Sequence, residues 1–233
     1  MIEFVTGKIG SGKTLYAVER IYLHLIKGGT VATNIDLKFE NIEALAWKQK
    51  GKRIKPAQIV EVDINKTPNW DMEVPWGVPE LPVLSVWDEV HLFNNARDWK
   101  KTQDSQGQML SFLTQSRKAC VDVIFITQDS KTVDKQFRIQ AQFEHYVINS
   151  SELSLGPFGK LPQFMSFCIR FKKSMSSRET VESNMAPYNK SMFGLYDTLS
   201  MLDDQMRERQ QDARVVEPFV LESKNLFRRL LQI

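Results

Sequence analysis

The sequence predicts an α/β fold with a mostly parallel sheet flanked by helices, and three features carry that prediction. A short apolar start, Ile2, Phe4 and Val5, runs directly into Gly7-Lys8-Ile9-Gly10-Ser11-Gly12-Lys13-Thr14, a complete G-x-x-x-x-G-K-[ST] phosphate loop. Two later apolar runs end in polar side chains: Leu81 to Trp87 leads into Asp88-Glu89, and Val121 to Ile126 leads into Thr127-Gln128. Buried parallel strands end this way where their C-terminal ends open on a ligand crevice. Between these runs the apolar spacing turns helical, and alternating strands and helices give a parallel sheet covered on both faces.

The elements follow in order. Residues 2–6 read as a strand and 14–27 as a helix, with Leu15, Val18, Ile21, Tyr22, Leu25 and Ile26 on one face and Gly28-Gly29 as its C-cap. A strand over 30–35 precedes an insertion, 36–80, which holds a short helix over 42–50, a strand over 58–64 and a Pro- and Trp-rich loop from Pro68 to Pro82. A strand over 82–87, a helix over about 105–118 and strands over 121–127 and 143–149 complete the core. Gly156-Pro157-Phe158-Gly159 reads as a turn, Phe164 to Phe171 alternates as an edge strand, and Met175 to Thr180 reads as a loop. Residues 1–200 are thus expected to form the nucleotide-binding domain, and 201–233 a charged, helical C-terminal extension.

Glycines at 7, 10 and 12 let successive backbone N–H groups converge on an anion at the start of a helix. Residues 7–14 are therefore the expected cradle for ATP, with Lys13 directed at the β- and γ-phosphates and Thr14 at Mg²⁺. Asp88 is placed to hold the same Mg²⁺ through water, and Glu89 to polarise the attacking water as general base. Neighbouring strand residues face opposite ways, so both acids serve one site only if the strand ends there. Gln128 can donate to a γ-phosphate oxygen and accept from the attacking water, and so report the third phosphate.

The phosphate loop, Val31-Ala32-Thr33-Asn34-Ile35, Val86-Trp87-Asp88-Glu89, Ser116-Arg117-Lys118 before the Gln128 strand, and Met192-Phe193-Gly194-Leu195-Tyr196 together resemble the zonular occludens toxin (Zot) domain. That domain occurs in filamentous-phage assembly proteins and falls in the FtsK–HerA class of DNA-translocating ATPases. The resemblance covers roughly residues 1–200 and implies a RecA-like P-loop NTPase core, ATP hydrolysis, a homo-oligomeric ring and DNA moved without regard to sequence, with other virion or membrane proteins as further partners. In such a ring an arginine from the next subunit stabilises charge on the transferring phosphoryl group. Arg117 and Arg138 are the candidates, with Arg138 preferred.

Filamentous-phage assembly proteins carry a membrane-spanning helix after this domain, and here no stretch reaches the roughly 18 apolar residues that a span requires. Nothing at the N-terminus reads as a signal peptide either, so a place in the host cytoplasm or on the virion is expected. The leading expectation is accordingly a genome-packaging motor. The alternatives are a membrane-associated ATPase for filamentous-phage extrusion and a non-motor nucleotide switch or kinase, the kinase disfavoured by the water-activating Asp88-Glu89 and Gln128.

The net charge of +3 is too small to argue for nucleic acid by itself, so DNA contacts must come from local clusters. Lys48, Lys50, Lys52, Arg53 and Lys55 form one, and Arg170, Lys172, Lys173 and Arg178 another. Cys120 and Cys168 sit beside apolar runs at no metal-ligand spacing and read as buried free thiols, and His24, His91 and His145 are too scattered for a zinc site.

Overall fold

Apolar residues at helical spacing give the first helix one greasy face, and in the computed structural model that face lies on an eight-stranded sheet. The structure describes residues 1–62, 73–92, 103–150 and 167–197. The expected turn at 156–159 and the charged tail at 201–233 lie outside the described residues, as does part of the Pro68–Pro82 loop.

The strands are β1 (Ile2–Thr6), β2 (Val31–Thr33), β3 (Ile59–Glu61), β4 (Val83–Trp87), β5 (Val121–Ile126), β6 (Phe143–Asn149), β7 (Phe167–Ser174) and β8 (Thr180–Pro187). The helices are α1 (Lys13–Ile26), α2 (Phe39–Lys50), α3 (Gln103–Gln115) and α4 (Lys135–Gln140). Spatial order is β3-β2-β4-β5-β1-β6-β7-β8, parallel through β6, with β7 and β8 antiparallel at one edge. The parallel strands thus all present their C-terminal ends at the edge where the phosphate loop follows β1.

Two apolar layers cover the sheet. Leu15, Val18, Ile21, Tyr22 and Leu25 of α1, with Ile42 and Ala46 of α2, pack on Val5, Val31, Val86, Ile124 and Ile126. On the other face Met109, Phe112 and Leu113 of α3 and Phe137 of α4 pack on Phe4, Trp87, Val123 and Phe125. The α1 C-terminus closes as its glycines predict: Gly28 takes a left-handed φ of 92°, and the N–H groups of Gly28 and Gly29 donate to the carbonyls of Leu25 and His24.

The segment expected as an insertion supplies α2 and then β3, which pairs with β2. Phe164 to Phe171 alternates like an edge strand. Residues 164–166 lie outside the described residues; from Phe167 on the strand lies inside the sheet rather than at its edge, because β8 pairs along its outer side. The fold is an α/β P-loop core of RecA-like architecture.

Candidate nucleotide-hydrolysis site

The phosphate loop closes between Thr6 and the first residue of α1, and glycine is required at both of its ends. A Cβ at Gly7, where φ is 149°, would collide with the Val147 carbonyl and the Ser11 hydroxyl. Gly12 is the N-cap of α1 at φ 93°, and a Cβ there would lie 2.9 Å from the Tyr188 ring. Because no side chain caps α1, its first N–H groups remain directed into the loop, where an anion can accept them. Lys8, Ile9 and Gly10 form an exposed rim, and Ser11 is buried beneath them. Lys13 is itself buried, and its Nζ donates to the Lys8 carbonyl at 3.0 Å, so the ammonium is folded over the space the loop encloses.

The acidic strand meets the loop directly. The Thr14 hydroxyl donates to Asp88 Oδ2 at 2.9 Å, joining residues 74 positions apart. Asn34 clamps the Asp88 backbone from both sides: its Nδ2 donates to the Asp88 carbonyl at 3.0 Å, and its Oδ1 accepts from the Asp88 N–H at 2.7 Å. β4 stops at Trp87, and Glu89 takes a left-handed φ of 49°, unusual for a side-chain-bearing residue. That twist defeats strand alternation, and both carboxylates feel the Lys13 charge. Backbone strain of this kind gathers at functional sites.

Burial, reinforced by the charge of Glu89, raises the Asp88 carboxyl to about 6, against the opposing pull of Thr14, the Glu89 N–H and Lys13. Burial also raises Glu89. A half-buried pair of carboxylates beside a hydroxyl is a site that a cation would relieve. One hydroxyl and one carboxylate suit Mg²⁺, which keeps several waters and shares its sphere with substrate phosphates. Among the described residues no group of three or more His, Cys, Asp or Glu side chains gathers as a protein-only metal cage.

Gln128 follows β5 as expected. Its side chain is exposed, and its carbonyl accepts from the Gly7 N–H at 3.2 Å, so the third strand end is stitched to the first residue of the loop. The two arginines lie apart from this arrangement within one chain. Arg117 is exposed in the turn before β5, at the end of the sheet away from the phosphate loop. Arg138 lies on α4 and lines a separate cavity.

Three contributors carry no signal of their role in the sequence. Asn34 reads there only as part of a strand; its role depends on β2 lying beside β4, which local spacing does not reveal. His91 stands 3.2 Å from Glu89 Oε2 and 3.4 Å from the buried Thr127 hydroxyl, and burial lowers its pKa. Tyr188, after β8, donates to the Ser11 carbonyl at 3.1 Å and lays its ring against Gly12, so the last sheet strand feeds back onto the loop.

The second basic cluster is divided rather than gathered into the single patch that its spacing suggests. Arg170 turns toward α1, where it meets Glu19 at 2.8 Å and lies over the Tyr16 ring. Lys172 shares that face, over the Phe143 ring, while alternation sends Lys173 to the other. In the first cluster Arg53 is stacked over Trp47 beside α2. Cys120 is half-buried and Cys168 buried, both as free thiols.

Comparison with known proteins agrees with this geometry. A solved structure of a phosphate-loop ATPase domain superposes with a TM-score of 0.52 at 10% identity, covering 85% of this chain and 84% of that one. The gene 1 proteins of Enterobacteria phage I2-2 and Salmonella phage IKe are 38% and 37% identical over 152 residues. Those alignments cover 63% of this chain, which spans about two fifths of the length of these relatives (39%). The family model for zonular occludens toxin (Zot) matches residues 1–202, and with a phosphate loop, an acidic strand and a Gln-ended strand assembled at one sheet edge, the chain belongs to the Zot family.

Proposed function

We propose that this protein is an ATPase that couples Mg²⁺-dependent ATP hydrolysis to movement of DNA in phage morphogenesis, acting as a homo-oligomeric ring of the FtsK–HerA class. The observation that carries the reading is the 2.9 Å hydrogen bond from Thr14 to Asp88, which joins the phosphate loop to the acidic strand and leaves Glu89 one residue further on. Residues 7–14 bind the phosphates, and Lys13 neutralises their charge. Thr14 and Asp88 would hold Mg²⁺, which when bound offsets the charge that builds on the phosphate oxygens. Glu89, its basicity raised by burial, accepts a proton from the attacking water, and Gln128 orients that water against the last phosphate. Arg138 or Arg117 of the next subunit in the ring completes the site.

Lys13→Ala tests the nucleotide site. A folded variant that neither binds nor hydrolyses ATP supports the reading, and parental turnover in that variant overturns it.

Of the two phage roles, extrusion gains support from the relatives at 37–38% identity, which are phage gene 1 proteins in a family whose resemblance is to filamentous-phage assembly. Packaging drew its support from the lack of a span. Among the described residues no helix is long and apolar enough to cross a membrane, but a chain covering two fifths of its relatives' length does not decide between the two on that ground. Co-fractionation with phage membrane proteins separates them.

A further inference from the structure

On the sheet face opposite α1, basic residues far apart in the chain converge on a cavity of about 670 Å³. Lys131 comes from the segment after β5, Lys135 and Arg138 from α4, Lys173 from the end of β7 and Arg178 from the turn into β8. Among the described residues none of the five pairs with a carboxylate. The single carboxylate in the described lining, Glu144, already accepts a hydrogen bond from the Thr6 hydroxyl at 2.9 Å. Arg138 Nε is buried with no acceptor among the described residues. Five cations against one engaged carboxylate leave the cavity with a net positive charge, and the like charges repel one another unless an anion joins them.

We propose that this cavity grips the phosphodiester backbone of a nucleic acid, which rests on the reading above that the protein moves DNA. The lining offers ammonium groups, a guanidinium fork and the hydroxyls of Ser130, Ser174 and Ser176, the donor set that contacts phosphate and sugar. Among the described residues no aromatic side chain lines it, so bases are not stacked there and the grip ignores sequence. Its place also links grip to hydrolysis. Lys131 follows Gln128 by three residues, and the Gln128 carbonyl holds the Gly7 N–H at the start of the phosphate loop.

The test uses the whole chain and a fluorescein-labelled DNA duplex of mixed sequence, with affinity read by anisotropy across a salt series. Lys131→Glu with Lys135→Glu should weaken binding by about tenfold or more, while Lys173→Gln with Arg178→Gln should lower the salt slope by about two. Both double variants keep the parental rate of ATP hydrolysis without DNA, and Lys50→Gln with Lys52→Gln, on the other basic segment, keeps parental DNA affinity. Parental affinity and slope in both cavity variants would place the DNA elsewhere and overturn the proposal while leaving the motor reading intact. A parent that hydrolyses ATP but binds no DNA overturns both. Should polyglutamate bind in place of DNA with the same dependence on these residues, the occupant is an acidic protein and the proposal is again wrong.

Discussion

Burial, with the charge of Glu89 one residue away, holds the Asp88 carboxyl up at about 6, so ionising it at neutral pH works against the fold. A raised carboxyl favours the folded state below its unfolded pKa of 3.8, and that contribution is lost as pH climbs through about 6. Asp88→Asn should therefore stabilise the nucleotide-free protein at pH 8 by about 3 kcal/mol, with the difference vanishing near pH 4. Thermal melts in a chelator check this, and a destabilised variant at pH 8 would mean that the charge is already compensated. The same substitution should abolish Mg²⁺-dependent hydrolysis. Glu89→Gln should retain ATP affinity and lose turnover by about two or more orders of magnitude, measured by nucleotide binding beside single-turnover rates. Equal loss of both would make Glu89 a structural residue. The phosphate loop and the two acids were legible because each motif is contiguous. Asn34 and His91 were not, because each meets Asp88 or Glu89 only through strand order or a turn after β4.

Among the elements, β1, α1, β6 and β7 are joined by a polar cluster on the α1 face of the sheet. Glu3, 2% exposed, lies 3.3 Å from both Arg20 Nη2 and His145 Nε2, and the Tyr16 hydroxyl meets His145 Nδ1 at 3.2 Å. Burial pushes the Glu3 carboxyl up, yet His145 and Arg20 outweigh it and hold the group below 4.5. A depressed carboxyl adds stability above its unfolded value, lost as pH falls below 4.5. Glu3→Gln, which leaves Arg20 without its counter-charge and His145 without its carboxylate partner, should cost about 3 kcal/mol at pH 7 and flatten the acid limb of the stability curve. Denaturant melts at pH 7 and pH 3.5 read both; an unchanged acid limb would show the cluster to be neutral in effect. The parallel strands were legible because buried strands are apolar throughout. β8, Thr180–Pro187, gave no such signal: apart from Ala186 its residues are exposed, and it exists by pairing with β7 rather than by pattern.

At the scale of the whole molecule, a net charge of +3 conceals an uneven distribution. Chain spacing grouped Arg170, Lys172, Lys173 and Arg178, but alternation along β7 divides them between faces, and Lys173 and Arg178 instead join Lys131, Lys135 and Arg138 across more than thirty residues of chain. Only the sheet order brings those five together, which is why one-dimensional spacing misgrouped them. A motor needs its grip and its hydrolysis to be coupled, and here one segment runs from Gln128, whose carbonyl holds the phosphate loop, to Lys131 and Lys135 in the cavity. The most direct measurement is the steady-state rate of ATP hydrolysis by the assembled protein against DNA concentration, at low and moderate salt. A DNA-moving ATPase gives saturable stimulation, little dependence on sequence, and a half-maximal DNA concentration that rises steeply with salt. A rate unaffected by DNA at either salt level, in a protein that assembles and hydrolyses ATP, would contradict it and leave a nucleotide switch in place of a motor.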